Sequence, residues 1–116
     1  MNTRAQAYLW FAQRASAALL GFFVLVHLVT VIYAVRNGLS AVEILGRTRG
    51  NTPWMLFYLL FVVAVAVHVP IGLRNILAET FSWRGRGLDL IVLGVGLFFL
   101  LSGLRAVWAV YAPGAA

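Results

Sequence analysis

The sequence contains no cysteine and no lysine, and only three of its residues are acidic. Without cysteine, the chain can form no disulfide, bind no iron–sulfur cluster through its own thiolates and offer no thiolate nucleophile. Any redox chemistry in which it takes part therefore depends on a bound cofactor. Charged residues make up 10% of the chain, whereas soluble domains carry roughly 25%. The chain thus lacks the polar surface that a soluble protein needs.

Hydrophobic residues, at 63% of the chain, fall into three long runs. The runs predict helices over about residues 13–36, 53–79 and 88–111, each long enough to cross a hydrocarbon core of ~30 Å. Thr52 and Pro53 are expected to begin the second helix as its N-cap and first residue. We therefore expect a single all-α membrane domain, residues 1–116, with three transmembrane helices.

The segment between the first two predicted helices is polar but contains several aliphatic residues. This composition indicates a short helix that lies in the membrane interface. In the third helix, small residues such as Gly94, Gly96 and Gly103 suit close packing against a neighbouring helix.

All nine basic residues are arginines, and they stand near the ends of the apolar runs. Binding of nucleic acid would need them clustered on a polar surface, so no nucleic-acid partner is expected. Five arginines fall on the N-terminal side of the membrane and four on the other side. By the positive-inside rule this favours a cytoplasmic N-terminus in a multi-pass membrane protein.

His27 and His68 are the two histidines of the chain, and both lie within apolar runs. Ionisable side chains inside a membrane usually line a cavity, a pathway or a cofactor, and imidazole is a common axial ligand of haem iron. From the helical rise, the two should differ in depth by about 10 Å. Each is therefore expected to face a partner chain; the alternative is that one or both form hydrogen bonds between helices.

Polar and small residues follow His68 along one stripe of the second predicted helix, at Gly72, Asn75 and Glu79. Gly72, one turn after His68, either leaves room for a flat ring or allows close helix packing. Arg14, at the membrane boundary of the first helix, is either an anchor whose charge reaches the interface or a site residue.

The segment from His68 to Glu79, with Gly72 four residues after the histidine and Arg74 two residues later, resembles a known motif. It is similar to the second-helix motif of the cytochrome b membrane-anchor subunits of succinate dehydrogenase and fumarate reductase. The first-helix segment Gln13-Arg14-Ala15-Ser16-Ala17 resembles that family's His-Arg-x-Ser-Gly. Gln13 and Ala17 depart from the motif, and Asn75 stands where some members have a second histidine.

The resemblance implies that His68 is an axial ligand of haem b. It also implies that Arg14 and Ser16 help to form a ubiquinone or menaquinone pocket. Contacts to haem or its propionates are expected from Gly72, Arg74 and Asn75. Arg105, one turn before Trp108, is interpreted as a boundary charge whose alternative role is a contact with a haem propionate. In members with two haems a first-helix histidine serves the second haem, which implies His27 as its ligand. A single haem through His68, or no haem, are the alternatives.

The resemblance further implies that the chain is half of a heterodimeric membrane-anchor helix bundle. A second membrane-anchor subunit would supply the opposing haem ligands, and an iron–sulfur subunit and a flavoprotein subunit would dock on the bundle. The implied function is electron transfer between succinate and quinone, with no catalytic activity in this chain alone. The rival functions are a haem b anchor of another quinone-linked dehydrogenase and a non-redox assembly or transport subunit.

Overall fold

The computed structural model describes residues 2–38 and 40–113, which form four helices. They are α1 (Thr3–Asn37), α2 (Ala41–Thr48), α3 (Thr52–Phe81) and α4 (Arg86–Tyr111). α1, α3 and α4 are long and apolar enough to cross a membrane. The predicted all-α fold with three membrane-spanning helices is confirmed, and the predicted interfacial segment forms the short helix α2.

α1 begins at Thr3, well before the start predicted near Gln13. The cause is the N-cap, because the side chain of Asn2 accepts a hydrogen bond from the backbone N–H of Ala5 at 2.8 Å. The predicted start came from hydropathy, which shows only the residues that suit lipid. The helix itself extends beyond those residues toward the N-terminus. The 35 residues of α1 span about 52 Å, so part of the helix projects beyond the ~30 Å hydrocarbon core.

Side-chain caps also set the starts of α2 and α3. Ser40 accepts from the N–H of Glu43 at 3.2 Å and begins α2. Asn51 accepts from the N–H of Trp54 at 3.2 Å, so Asn51 is the N-cap of α3 and Thr52 is its first residue. The prediction of Thr52 as the cap was therefore wrong by one residue, because asparagine is the stronger capping residue of the two.

α3 is the central helix of the fold, since α1 and α4 each pack against it and contact each other little. On the α1 side, the ring of Phe23 stacks on that of Phe61 with 5.8 Å between centroids. Few of the described residues are buried: Ser16, Phe23, Ala64, Leu88, Val92, Gly96 and Val107. Most of the apolar surface therefore faces outward, as expected of a chain surrounded by lipid and partner helices.

The contact between α3 and α4 depends on two glycines of α4. A Cβ atom at Gly103 would lie 2.6 Å from a methyl carbon of Val62, and one at Gly96 would lie 2.9 Å from Cγ of Pro70. Valine and proline side chains have little freedom to move away. Gly96 and Gly103 thus pack closely as expected, whereas a Cβ at Gly94 would meet no atom within 4 Å.

We expect Gly103→Ala to lower the free energy of unfolding by about 1–3 kcal/mol, as overpacking usually does. Gly94→Ala is the matched control, because it adds the same methyl group to the same helix in open space. Unfolding of the full chain in mild detergent, followed by circular dichroism, measures both. Equal destabilisation by the two substitutions would contradict the close packing of Gly103 on α3.

Candidate functional site

His68 lies on α3 at the point where α1 packs against it. Its ring nitrogen Nδ1 is 3.5 Å from Oγ of Ser16 on α1. Ser16 is only 5% exposed, and its hydroxyl donates to the backbone carbonyl of Gln13 at 3.0 Å. With the Ser16 proton directed at that carbonyl, Oγ can accept a hydrogen bond from Nδ1–H. In the tautomer with the proton on Nδ1, the lone pair of Nε2 is free, which is the state that binds a metal.

A groove of about 900 Å³ lies beside His68, between α1, α3 and the turn that leads into α4. Its size is within the range of ligand and cofactor sites. The residues that line it are Gln6, Leu9, Trp10, Gln13, Arg14, Ala17, His68, Ile71, Arg74, Asn75, Arg84, Gly85 and Asp89. Four of the predicted site residues, Arg14, His68, Arg74 and Asn75, are thus brought together here. We call this the His68 groove.

The His68 groove is positively charged. Arg14, Arg74 and Arg84 line it together with one carboxylate, Asp89, which leaves two positive charges in excess. Nε of Arg74 donates to Oδ1 of Asp89 at 2.8 Å. The guanidinium of Arg14 lies 4.9 Å from the centre of the Trp10 ring, a cation–π contact. The groove therefore favours ligands that carry carboxylates or other anionic groups.

Gly72 is covered by the side chain of Gln13. A Cβ atom at Gly72 would lie 3.1 Å from Nε2 of Gln13, so glycine at this position allows α1 and α3 to approach. This geometry favours the packing interpretation of Gly72. The amide oxygen Oε1 of Gln13 is buried and has no hydrogen-bond partner among the residues that the structure describes.

His27 lies in a second, mostly apolar groove of about 340 Å³. Its ring makes edge-to-face contacts with Tyr58 and Phe61, with centroids 6.1 and 6.0 Å apart. Gly103 and Val107 of α4 line the same groove. His27 itself is exposed in this structure, so its ring is open to a partner helix or a ligand.

The two histidines lie at separate levels of the bundle. His68 is level with Ser16, and His27 follows Ser16 by eleven residues, or about 16 Å along the helix axis. Along α3, the ring of His27 contacts that of Phe61, which precedes His68 by seven residues, or about 10 Å. The predicted difference of about 10 Å thus agrees with the separation along α3 and is smaller than the separation along α1. The two rings are too far apart to bind one iron within a single chain.

Arg105 lines neither histidine groove. It is exposed on α4, two residues from both Gly103 and Val107, which face the His27 groove. A step of two residues turns the helix by about 200°. The side chain of Arg105 therefore leaves the helix on the far side from that groove, and its contact with a haem propionate stays a prediction.

Trp10, Arg84 and Asp89 line the His68 groove but were not predicted from the sequence. Trp10 belongs to the N-terminal part of α1, which hydropathy did not mark. Arg84 and Asp89 come from opposite sides of Gly85, whose positive φ of 113° turns the chain into α4. The local sequence around Gly85 does not show which helices these two side chains will lie against after the turn.

Within residues 2–38 and 40–113, no three metal-binding side chains lie together. Each groove instead offers one imidazole. One imidazole satisfies one axial position of a haem iron, so a second ligand would come from outside this chain.

Residues 1–102 match the family model described as succinate dehydrogenase/fumarate reductase transmembrane subunit. The match covers every residue that lines the His68 groove, and it confirms the family resemblance noted in the sequence. No curated protein and no solved structure matches the chain.

We expect the pair Arg74–Asp89 to contribute little to stability, because its side chains are 31% and 54% exposed. A double-mutant cycle of Arg74→Gln and Asp89→Asn should give a coupling below about 1 kcal/mol, and this coupling should fall as salt is raised. Unfolding of the full chain in detergent at low and high salt measures it. A salt-independent coupling of about 3 kcal/mol would contradict this, since it requires a pair shielded from solvent.

Proposed function

The chain belongs to the family of succinate dehydrogenase/fumarate reductase transmembrane subunits, and on that basis we propose that it is the membrane-anchor cytochrome b subunit of a succinate:quinone oxidoreductase. In this role it binds haem b and a quinone and docks an iron–sulfur subunit and a flavoprotein subunit. It would lie in the bacterial inner membrane with its N-terminus in the cytoplasm. Family membership, three spanning helices and the His68 groove support the proposal.

The observation that carries the proposal is the contact of His68 with Ser16 at the edge of an arginine-lined groove. The residues present fit haem b. Ser16 holds Nδ1 of His68 and leaves Nε2 free for iron, while Arg74 and Arg84 offer charges that pair with propionates. When bound there, haem b supplies a one-electron carrier.

The opposing axial ligand is expected from a second membrane-anchor subunit. His27 is the one other histidine of the chain, and it lies about 10 to 16 Å away along the helix axes. The side of α1 and α3 that carries the His68 groove would then face the partner helices. This is the arrangement of half of a heterodimeric bundle.

A quinone would bind in a different part of the His68 groove from the haem, next to Arg14. The guanidinium of Arg14 is exposed and is held over Trp10, where it can donate to a quinone carbonyl and stabilise negative charge on the reduced ring. Ser16 stays a predicted quinone contact. The hydroxyl of Ser16 donates to the backbone carbonyl of Gln13 and lies against the ring of His68. We therefore propose that the main role of Ser16 is to orient His68.

His27 is proposed as the ligand of a second haem, again shared with the partner subunit. The separate groove that it lines with Tyr58 and Phe61 supports this assignment. In the competing form of the proposal the complex holds one haem, and His68 is the only residue of this chain that binds its iron. Haem-to-protein stoichiometry of the intact complex decides between the two.

We expect the purified complex to show a b-type band in its reduced-minus-oxidised spectrum, and His68→Ala to abolish the part of it that arises from the haem in the His68 groove. His27→Ala is the matched control, because it removes the other imidazole and should leave that haem in place. An unchanged spectrum in His68→Ala would refute the ligand assignment.

The same preparation separates the rival functions. Absence of any b-type band in the wild-type complex would favour a non-redox membrane subunit. A b-type band together with a co-purified flavoprotein that does not oxidise succinate would favour the anchor of another quinone-linked dehydrogenase.

We expect Ser16→Ala to weaken haem retention by about 10- to 100-fold, the usual cost of losing a partner that orients a ligating histidine. Ser102→Ala, which removes an exposed hydroxyl from α4, is the control and should retain haem fully. Haem loss to apomyoglobin from the detergent-solubilised complex measures both. Equal retention in Ser16→Ala and wild type would contradict the role of Ser16 in holding Nδ1.

A further inference from the structure

Gln13 carries a buried polar atom that the helix contacts do not satisfy. Its Oε1 has no hydrogen-bond partner among the described residues, although the great majority of buried polar side-chain atoms in proteins have one. The same side chain covers Gly72 and lines the His68 groove. A buried acceptor without a partner is destabilising, and its position beside a groove points to a donor supplied by a ligand.

Neither neighbouring polar group supplies that donor. The Ser16 hydroxyl donates to the backbone carbonyl of Gln13, not to its side chain. The guanidinium of Arg14 lies over the ring of Trp10. Oε1 is itself enclosed, but the Gln13 side chain lines the His68 groove, so rotation of the amide would present Oε1 to a donor in that groove.

The chemistry of a carboxamide restricts what Gln13 can do for a bound quinone. It offers an acceptor, Oε1, and a donor, Nε2, and it does not titrate. Rotation about its terminal torsion exchanges the two atoms at little cost, because that torsion is broad. A quinol hydroxyl can donate to Oε1 and satisfy it, whereas a quinone carbonyl can only accept from Nε2 and leaves Oε1 without a partner.

We propose that Gln13 is a redox-form specificity residue of the quinone site, which binds the quinol hydroxyl through Oε1 and so favours quinol over quinone. This rests on the proposed quinone-binding function. Because the amide exchanges no proton, Gln13 takes no part in proton delivery, and a different group has to perform it.

The test is Gln13→Met, which keeps an unbranched side chain of similar length and removes both polar atoms. Binding of ubiquinone-1 and ubiquinol-1 to the purified complex is measured anaerobically by calorimetry, with menaquinone-1 and its quinol in parallel. We expect quinol affinity to fall about tenfold, and quinone affinity to change less than about threefold. In the quinone-free preparation, the unfolding midpoint should rise by about 2–6 °C, because an unsatisfied buried acceptor is removed.

Asn37→Leu is the matched control, since it removes an amide at the opposite end of α1. The side chain of Asn37 donates to the backbone carbonyl of Tyr33 at 2.9 Å, so its amide is partnered. This variant should leave quinol affinity unchanged and should not raise the unfolding midpoint.

Wild-type affinity for quinol in Gln13→Met would overturn the assignment, as would equal weakening of quinol and quinone. An unchanged or lowered unfolding midpoint in that variant would also overturn it, because Oε1 would then be satisfied without ligand. If the wild-type complex binds neither ubiquinol-1 nor menaquinol-1, the proposed quinone-binding function itself fails, and this result is distinct from the other three.

Discussion

The site depends on the approach of α1 to α3, where Ser16 meets His68 and Gln13 covers Gly72. Inside a membrane no water is available to satisfy polar groups, so polar side chains have to be brought against each other or against a ligand. This one contact places the imidazole beside the Ser16 hydroxyl and buries one amide oxygen that has no partner among the described residues. The proposed roles of all four residues follow from it.

The charge of the His68 groove complements this contact. Its three arginines come from α1, from α3 and from the turn before α4. Nε of Arg74, the arginine on α3, donates a hydrogen bond to Asp89. An excess of positive charge next to the imidazole of His68 suits a cofactor with an apolar ring and anionic substituents. The apolar groove of His27 offers no comparable set of charges, which makes His68 the better-supported haem ligand.

The sequence predicted the three spans because lipid demands long apolar runs, whose length identifies a membrane helix almost independently of tertiary contacts. It also predicted His68 and Asn75 on one stripe of the second helix, since their spacing is helical, and both line the His68 groove. The start of α1 was missed because it is fixed by the cap at Asn2 and not by hydropathy. The contacts of Gln13 with Gly72 and of Arg74 with Asp89 could not be predicted, because they join different helices whose relative rotation is set by packing, such as that of Gly103 on Val62.

The central claim is that Ser16 holds Nδ1 of His68 so that Nε2 can bind haem iron in the groove between α1, α3 and the start of α4. The most direct test is an electron cryo-microscopy map of the complex purified through this chain. The account predicts porphyrin density in the His68 groove, with iron bonded to Nε2 of His68 and a histidine of a partner subunit on the opposite face. A map with a well-resolved His68 and no porphyrin beside it, or with iron bonded elsewhere, would contradict the account.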